Sequence, residues 1–165
     1  MQSSLWARLP YLVLVFLILL IDRISKTAIR LHFDLGQPVP VIDGAFNITY
    51  VQNTGVAFGI LDSLNSSFKV VVLCLVAAIA AVAVIVFSLR NSSRNRLLQI
   101  SLGLILAGAL GNLFDRIQYR YVVDFLEFHV RNHYWPSFNV ADTAVSIGVI
   151  LLAWETFRNE TPRQA

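Results

Sequence analysis

Four long apolar runs divide the chain, each bounded by charged or turn-forming residues. Leu9 to Ile21 is a 13-residue apolar stretch, short of the roughly 20 residues a helix needs to cross a bilayer. It predicts a span only if the helix continues through Asp22-Arg23-Ile24-Ser25-Lys26-Thr27-Ala28-Ile29, with that end at the interface or inside the protein. Val70 to Leu89 is 20 residues interrupted only by Ser88 and bracketed by Lys69 and Arg90. Leu97 to Phe114 is 18 residues whose polar members are Gln99, Ser101 and Asn112. Val140 to Phe157 carries Asp142 near its start and Glu155 near its end. The pattern predicts a mainly α membrane protein with four transmembrane helices, over approximately 9–29, 69–89, 97–115 and 139–157, in one domain covering 1–165.

Between the first two runs the periodicity changes. Pro38-Val39-Pro40-Val41-Ile42-Asp43-Gly44 reads as an extended piece ending in an Asp-Gly turn, and Phe46-Asn47-Ile48-Thr49-Tyr50-Val51 as a strand. A small sheet on the membrane surface is expected.

Composition agrees. Hydrophobic residues make up 56% of the 165 and charged residues 14%, against about 25% charged in a soluble domain. Too little charge is present to cover a water-soluble globule of this size. Cys74 is the only cysteine, which excludes a disulfide scaffold. An even number of spans puts both termini on one side. The short segments there, 1–8, 90–96 and 158–165, hold six arginines in 23 residues, whereas 22–69 and 115–139 hold seven Lys/Arg in 73. Both termini are therefore expected in the cytoplasm and the long loops outside. The net charge of +3 then reflects arginines meeting anionic headgroups. No basic face interleaved with aromatics suggests a nucleic-acid partner. The first run lacks a small-x-small cleavage site and reads as an uncleaved anchor.

Polar residues in or beside spans are costly and need a reason. Asp22 and Lys26 share a helical face, which fits either an interfacial anchor or a functional pair. Gly103, Ala107 and Gly111 recur at spacing four, a close-packing signal. Gly108, Asn112 and Arg116 form a second such stripe, suited to binding carbonyls or orienting a carboxylate, or to capping and snorkelling. Asp124 lies in the apolar stretch Tyr121 to Leu126, and Asp142 opens the last span, three residues after Asn139. Both aspartates should lie at one membrane surface. Two close carboxyls in low dielectric share a proton, so one activates a water while its protonated partner polarises a carbonyl. Two unrelated interfacial carboxylates, or a pair for proton or cation transport, fit the same spacing. His129 and His133, with Glu127 near, lack a third evident ligand, and no metal or cofactor is expected. Cys74 reads as a packing residue within its span.

Five segments then bear a family resemblance. Asn53-Thr54-Gly55-Val56-Ala57-Phe58-Gly59 resembles the Asn-x-Gly-x-Ala-Phe segment of lipoprotein signal peptidases (signal peptidase II). Gly108 to Arg116, with Asn112 and Asp115, is similar to that family's third-helix motif. Val122-Val123-Asp124-Phe125 and Phe138-Asn139-Val140-Ala141-Asp142 resemble its two aspartate motifs, and Asp22-x-x-x-Lys26 the end of its first helix. They occur in the family's order, from about residue 10 to 157, and the one departure is Ala107, where a Gly-Gly pair is frequent.

The resemblance implies an aspartic endopeptidase of the bacterial cytoplasmic (inner) membrane, with its site facing the periplasm. Its substrates would be diacylglyceryl-modified prolipoproteins, cleaved just before the lipid-modified cysteine. Catalysis would fall to Asp124 and Asp142, and substrate binding to Asn53, Asn112, Arg116 and Asn139. Asp22, Lys26, Gly55, Gly108, Asp115 and Ala141 would support them. It implies a small extracytoplasmic β-cradle with a short surface helix, and occupation of the site by a globomycin-type inhibitor. The chain is taken as a monomer. Arg116 and Asn53 are expected to hold substrate carbonyls, the small-residue faces to receive lipid tails, and Thr54 to Asn65 to move as a lid.

Overall fold

All four apolar runs fold as helices, and each helix outlasts its apolar core. In the computed structural model, which describes residues 5–55, 66–131 and 133–160, they are α1 (Leu9–His32), α2 (Ser66–Arg90), α3 (Arg96–Tyr119) and α4 (Val140–Glu160). In α1 and α3 the added turns carry Asp22, Lys26 and Asp115, which are buried against one another inside the protein. Three helices are long and apolar enough to cross a membrane: Ser67–Arg90, Arg96–Tyr119 and Val140–Arg158. The length of α1 would suffice too, at 24 residues, but Asp22, Arg23 and Lys26 interrupt its apolar run.

The outward faces are what lipid demands. Leu12, Phe16 and Leu20 of α1, Val76, Ile79 and Val82 of α2, and Val149 and Ile150 of α4 are all exposed. Polar side chains turn inward instead. At the end holding the N-terminus of α1, Arg8 is buried and donates to the Ser88 carbonyl at 2.8 Å, the Asn91 carbonyl at 2.8 Å and Gln99 Oε1 at 3.2 Å, closing α1 onto the α2–α3 link. Asn95 caps α3 by accepting from the Leu98 N–H, and its amide donates to Glu155 Oε1 of α4 at 2.8 Å.

The small-residue stripes of α3 are packing surfaces. A side chain on Gly108 would overlap the Ala141 carbonyl oxygen of α4. One on Gly111 would sit 2.8 Å from Asp22 Oδ2 of α1 and 3.2 Å from the Ala141 Cβ. Ala107 is buried as well. Backbones approach this closely only where no Cβ intervenes. These faces, expected to receive lipid tails, are therefore occupied by α1 and α4.

The sheet is larger than the sequence pattern foretells. Strands β1 (Val39–Ile42), β2 (Phe46–Asn53), β3 (Val122–Val130) and β4 (His133–Tyr134) form one antiparallel sheet in the order β1-β2-β3-β4. The first two match the expected hairpin, with Gly44 at φ +74° in its turn. In sequence, β3 shows only as an apolar stretch around Asp124. Val123 and Phe125 point to one face, where they pack with Ile29 and Tyr50. Asp124 takes the opposite face, as strand alternation requires. The short surface helix implied by the resemblance is not found among the described residues of the outer loops, and residues 56–65 of the expected lid lie outside them.

Candidate active site

Helix α3 ends at Arg120, whose left-handed backbone (φ 69°) turns the chain at once into β3. That tight exit holds Asp124 beside the helix it has just left. Across the sheet, Asp124 pairs with Val51, so Asn53 is its diagonal neighbour on the same face. The Asn53 amide donates to Asp124 Oδ2 at 2.9 Å, and Asn53 Oδ1 accepts from the Gly55 N–H at 3.0 Å. Asn53 thus uses its amide on the carboxyl, where the resemblance suggests a substrate carbonyl.

Asn139 is fully buried at the start of α4 and joins the two aspartates. Its Nδ2 donates to Asp124 Oδ1 at 2.7 Å and to Asn112 Oδ1 at 3.3 Å. Its Oδ1 accepts from the Asp142 N–H at 3.0 Å, while Asp142 Oδ2 accepts from the Asn139 N–H at 3.2 Å. This reciprocal pair is a capping box, here with Asn and Asp in the two positions. The Asn112 amide donates to the other carboxyl oxygen, Asp142 Oδ1, at 2.7 Å. Each aspartate is therefore held at both of its oxygens.

The two carboxyls differ in surroundings. Asp124 is 2% exposed, whereas Asp142 is half-buried in the first turn of α4. Burial, and then the neighbouring charge of Asp142, push the Asp124 carboxyl up to about 7, against the opposing pull of the Asn53 and Asn139 hydrogen bonds and of Lys26. Arg116, on the α3 face below, is half-buried and donates to the Asn112 carbonyl at 3.4 Å, which leaves other donors of its guanidinium uncommitted to that bond.

Behind the carboxyls lies a buried ion cluster. Lys26 is 0% exposed and pairs with Asp22 at 2.9 Å and Asp115 at 3.0 Å, and it donates to Asn112 Oδ1 at 3.0 Å. Asp115, also 0% exposed, pairs with Arg23 at 2.8 Å and accepts from the Val123 N–H at 3.2 Å. Asp22 Oδ1 accepts from the Ala141 N–H at 3.0 Å. The Asp22–Lys26 pair is thus buried inside the protein and not exposed on its surface. Arg23 is missing from the sequence expectations, although the Asp22-Arg23 doublet beside Lys26 is its signal.

All twelve residues expected at the site therefore gather at one end of the helices. Gly108 and Ala141 form the close α3–α4 contact beneath it, and Gly55 closes the turn after Asn53. His129 and His133 lie far along β3 and β4 from Asp124, where His129 stacks on Tyr134. Among the described residues no group of three or more His, Cys, Asp and Glu is placed to hold a metal ion.

Fold and site together define a membrane-embedded helical enzyme with paired carboxyls at one end of its bundle. The family model for signal peptidase (SPase) II matches residues 14–158. A lipoprotein signal peptidase of Syntrophus aciditrophicus is 41% identical over 150 residues, covering 91% of this chain and 93% of its own. One of Moorella thermoacetica is 45% identical over 149 residues, covering 89% and 92%. A bacterial membrane enzyme solved by the in meso method at 2.3 Å resolution matches with a TM-score of 0.84 at 28% identity, over 94% of this chain and 92% of the other. The chain belongs to the signal peptidase II family.

Proposed function

We propose that the protein is an aspartic endopeptidase that removes signal peptides from diacylglyceryl-modified prolipoproteins, cutting just before the lipid-modified cysteine. The observation that carries this reading is the sharing of Asn139 by two carboxyls, one buried and one open to the surface. Asp142, at the α4 N-terminus, takes a proton from water. The resulting hydroxide attacks the scissile carbonyl carbon, and Asp124 donates its proton to the carbonyl oxygen. On collapse, Asp142 returns a proton to the departing amine and Asp124 recovers its own from the hydroxyl. The reaction needs no cofactor. Arg116 holds substrate backbone, and a globomycin-type inhibitor competes for the same place.

The whole chain acts as one unit in the bacterial cytoplasmic membrane, as a monomer, with α1 as a fourth span. A 24-residue helix is about 36 Å long. Its interrupting charges Asp22 and Lys26 are buried on α3, while Leu12, Phe16, Leu20 and Ile24 face outward. Both termini then lie in the cytoplasm with the arginine-rich segments, and the carboxyls face the periplasm, where the substrate's lipid sits in the outer leaflet.

The test is cleavage of a diacylglyceryl-modified prolipoprotein by the purified chain in detergent, beside Asp124→Asn, Asp142→Asn and an EDTA arm. Loss of cleavage in both variants with indifference to EDTA is the expected result. Survival of cleavage in either variant overturns the assignment of that aspartate.

A further inference from the structure

We infer that Lys26 is a positioning residue for the catalytic pair: its ammonium fixes which way the Asn112 amide faces, and so delivers an N–H to Asp142. This inference rests on the proposed peptidase reading. A lysine ammonium carries only donors. The Asn112 atom 3.0 Å from Lys26 Nζ must therefore be the carbonyl oxygen. Asn139 Nδ2 donates to that same oxygen at 3.3 Å. With its oxygen held by two donors, Asn112 has one orientation left, and its Nδ2 is aimed at Asp142 Oδ1, 2.7 Å away. Asn112 is only partly buried and sits on the α3 face beside the open side of the site. Without Lys26 its amide loses the stronger of the two groups that fix it. The flipped amide would set a carbonyl oxygen against the Asp142 carboxylate.

Lys26 is itself held for this task. Asp22 and Asp115 grip the ammonium at 2.9 and 3.0 Å, Arg23 satisfies Asp115 from the other side, and no part of Lys26 reaches solvent. Asp22 also fastens the Ala141 N–H of α4, one residue before Asp142. The cluster therefore spans α1, α3 and α4; of the three side chains Lys26 binds, Asn112 is the one that donates to a reacting carboxyl, while Asp22 and Asp115 hold the backbone N–H groups of Ala141 and Val123.

Lys26→Met alone would strand two buried carboxylates, so the charge must be balanced. In Asp22→Asn/Lys26→Met one anion leaves with the cation, Asp115 keeps Arg23, and the amide oxygen introduced at position 22 still accepts from the Ala141 N–H. Prolipoprotein cleavage is compared with Asp22→Asn alone. A kcat on the order of 10- to 100-fold lower, with KM within about twofold, is expected for misaligned catalytic groups. Repeating the comparison with Asn112→Ala present in both members should remove most of the difference, leaving only the pull of the Lys26 charge on Asp124. Side-chain amide signals of Asn112 in ¹⁵N-labelled protein should shift in Asp22→Asn/Lys26→Met and stay near wild type in Asp22→Asn. Equal kcat in the two variants, or an unmoved Asn112 amide, overturns the inference. If the methionine variant does not fold, Asp22→Asn/Lys26→Gln carries the test, since glutamine is one bond shorter and loses reach to Asn112. The same fall in kcat is expected and its absence overturns the proposal. Failure of the wild type to cleave sinks the peptidase reading instead, and the amide signal then decides the role of Lys26 alone.

Discussion

Asn139 and Asp142 cap one another across the first turn of α4, each accepting the other's backbone N–H, at 3.0 and 3.2 Å. The bonds that start the helix are thus the ones that orient the half-buried carboxyl. Stability and catalysis meet in the same two side chains, and Asn139 carries a third task through its amide on Asp124.

Those tasks separate by substitution. Asn139→Ser keeps a good N-cap oxygen but has no amide to offer Asp124. Asn139→Ala lacks both, and losing a cap costs about 1 kcal/mol. Thermal unfolding in detergent should place Asn139→Ser below wild type, for the lost amide bonds to Asp124 and Asn112, and Asn139→Ala lower still by the cap. Prolipoprotein cleavage should fall in both, by at least about tenfold.

The Asp124 carboxyl, pushed up to about 7, sets two pH dependences. Its native affinity for protons exceeds that in the unfolded chain, where an aspartate titrates near 4. Between about pH 4 and 7 the native state binds more protons, so Asp124's contribution to stability falls as pH rises and levels off above 7, with a slope of at most about 1.4 kcal/mol per unit. Asp124→Asn should flatten that part of the stability profile. Cleavage, which needs the proton on Asp124, should decline as pH rises through about 7.

Asn53→Asp is expected to move that decline. The new carboxylate keeps an oxygen for the Gly55 N–H but replaces the amide donor on Asp124 with a second negative charge. Both changes favour protonated Asp124. The basic limb of the rate profile should shift upward while the maximal rate falls.

Gly108 and Gly103 should respond oppositely to alanine. A Cβ at Gly108 overlaps the Ala141 carbonyl oxygen, and backbone cannot step aside as a side-chain tip can. Gly108→Ala should cost about 1–3 kcal/mol and depress cleavage by displacing α4. A Cβ at Gly103 meets the Leu14 and Val15 side chains at 3.6 Å, ordinary contact. Gly103→Ala should be tolerated, with a gain of up to about 1 kcal/mol in helix propensity. Unfolding midpoints of the two variants check the contrast.

Whatever depends on local pattern is legible in the chain alone. Apolar run length calls for helices over residues 9–29, 69–89, 97–115 and 139–157, because unpaired backbone cannot be left in lipid. Alternation in Phe46 to Val51 calls for a strand, and motif order gathers the twelve site residues. Where those residues point is set by packing. Strand β3 is hidden in the sequence because Asp124 interrupts its apolar pattern, and only pairing with β2 makes that break the functional face of a strand. Nothing in the four-residue spacing of Asp22 and Lys26 distinguishes an interfacial pair from a buried one. Burial comes from Asp115 and Asn112 on α3, 86 and more positions away in the chain, which reach the same ammonium when Gly108 and Gly111 let the helices close. Desolvation and hydrogen-bond direction are properties of that closed arrangement, and no local pattern encodes them.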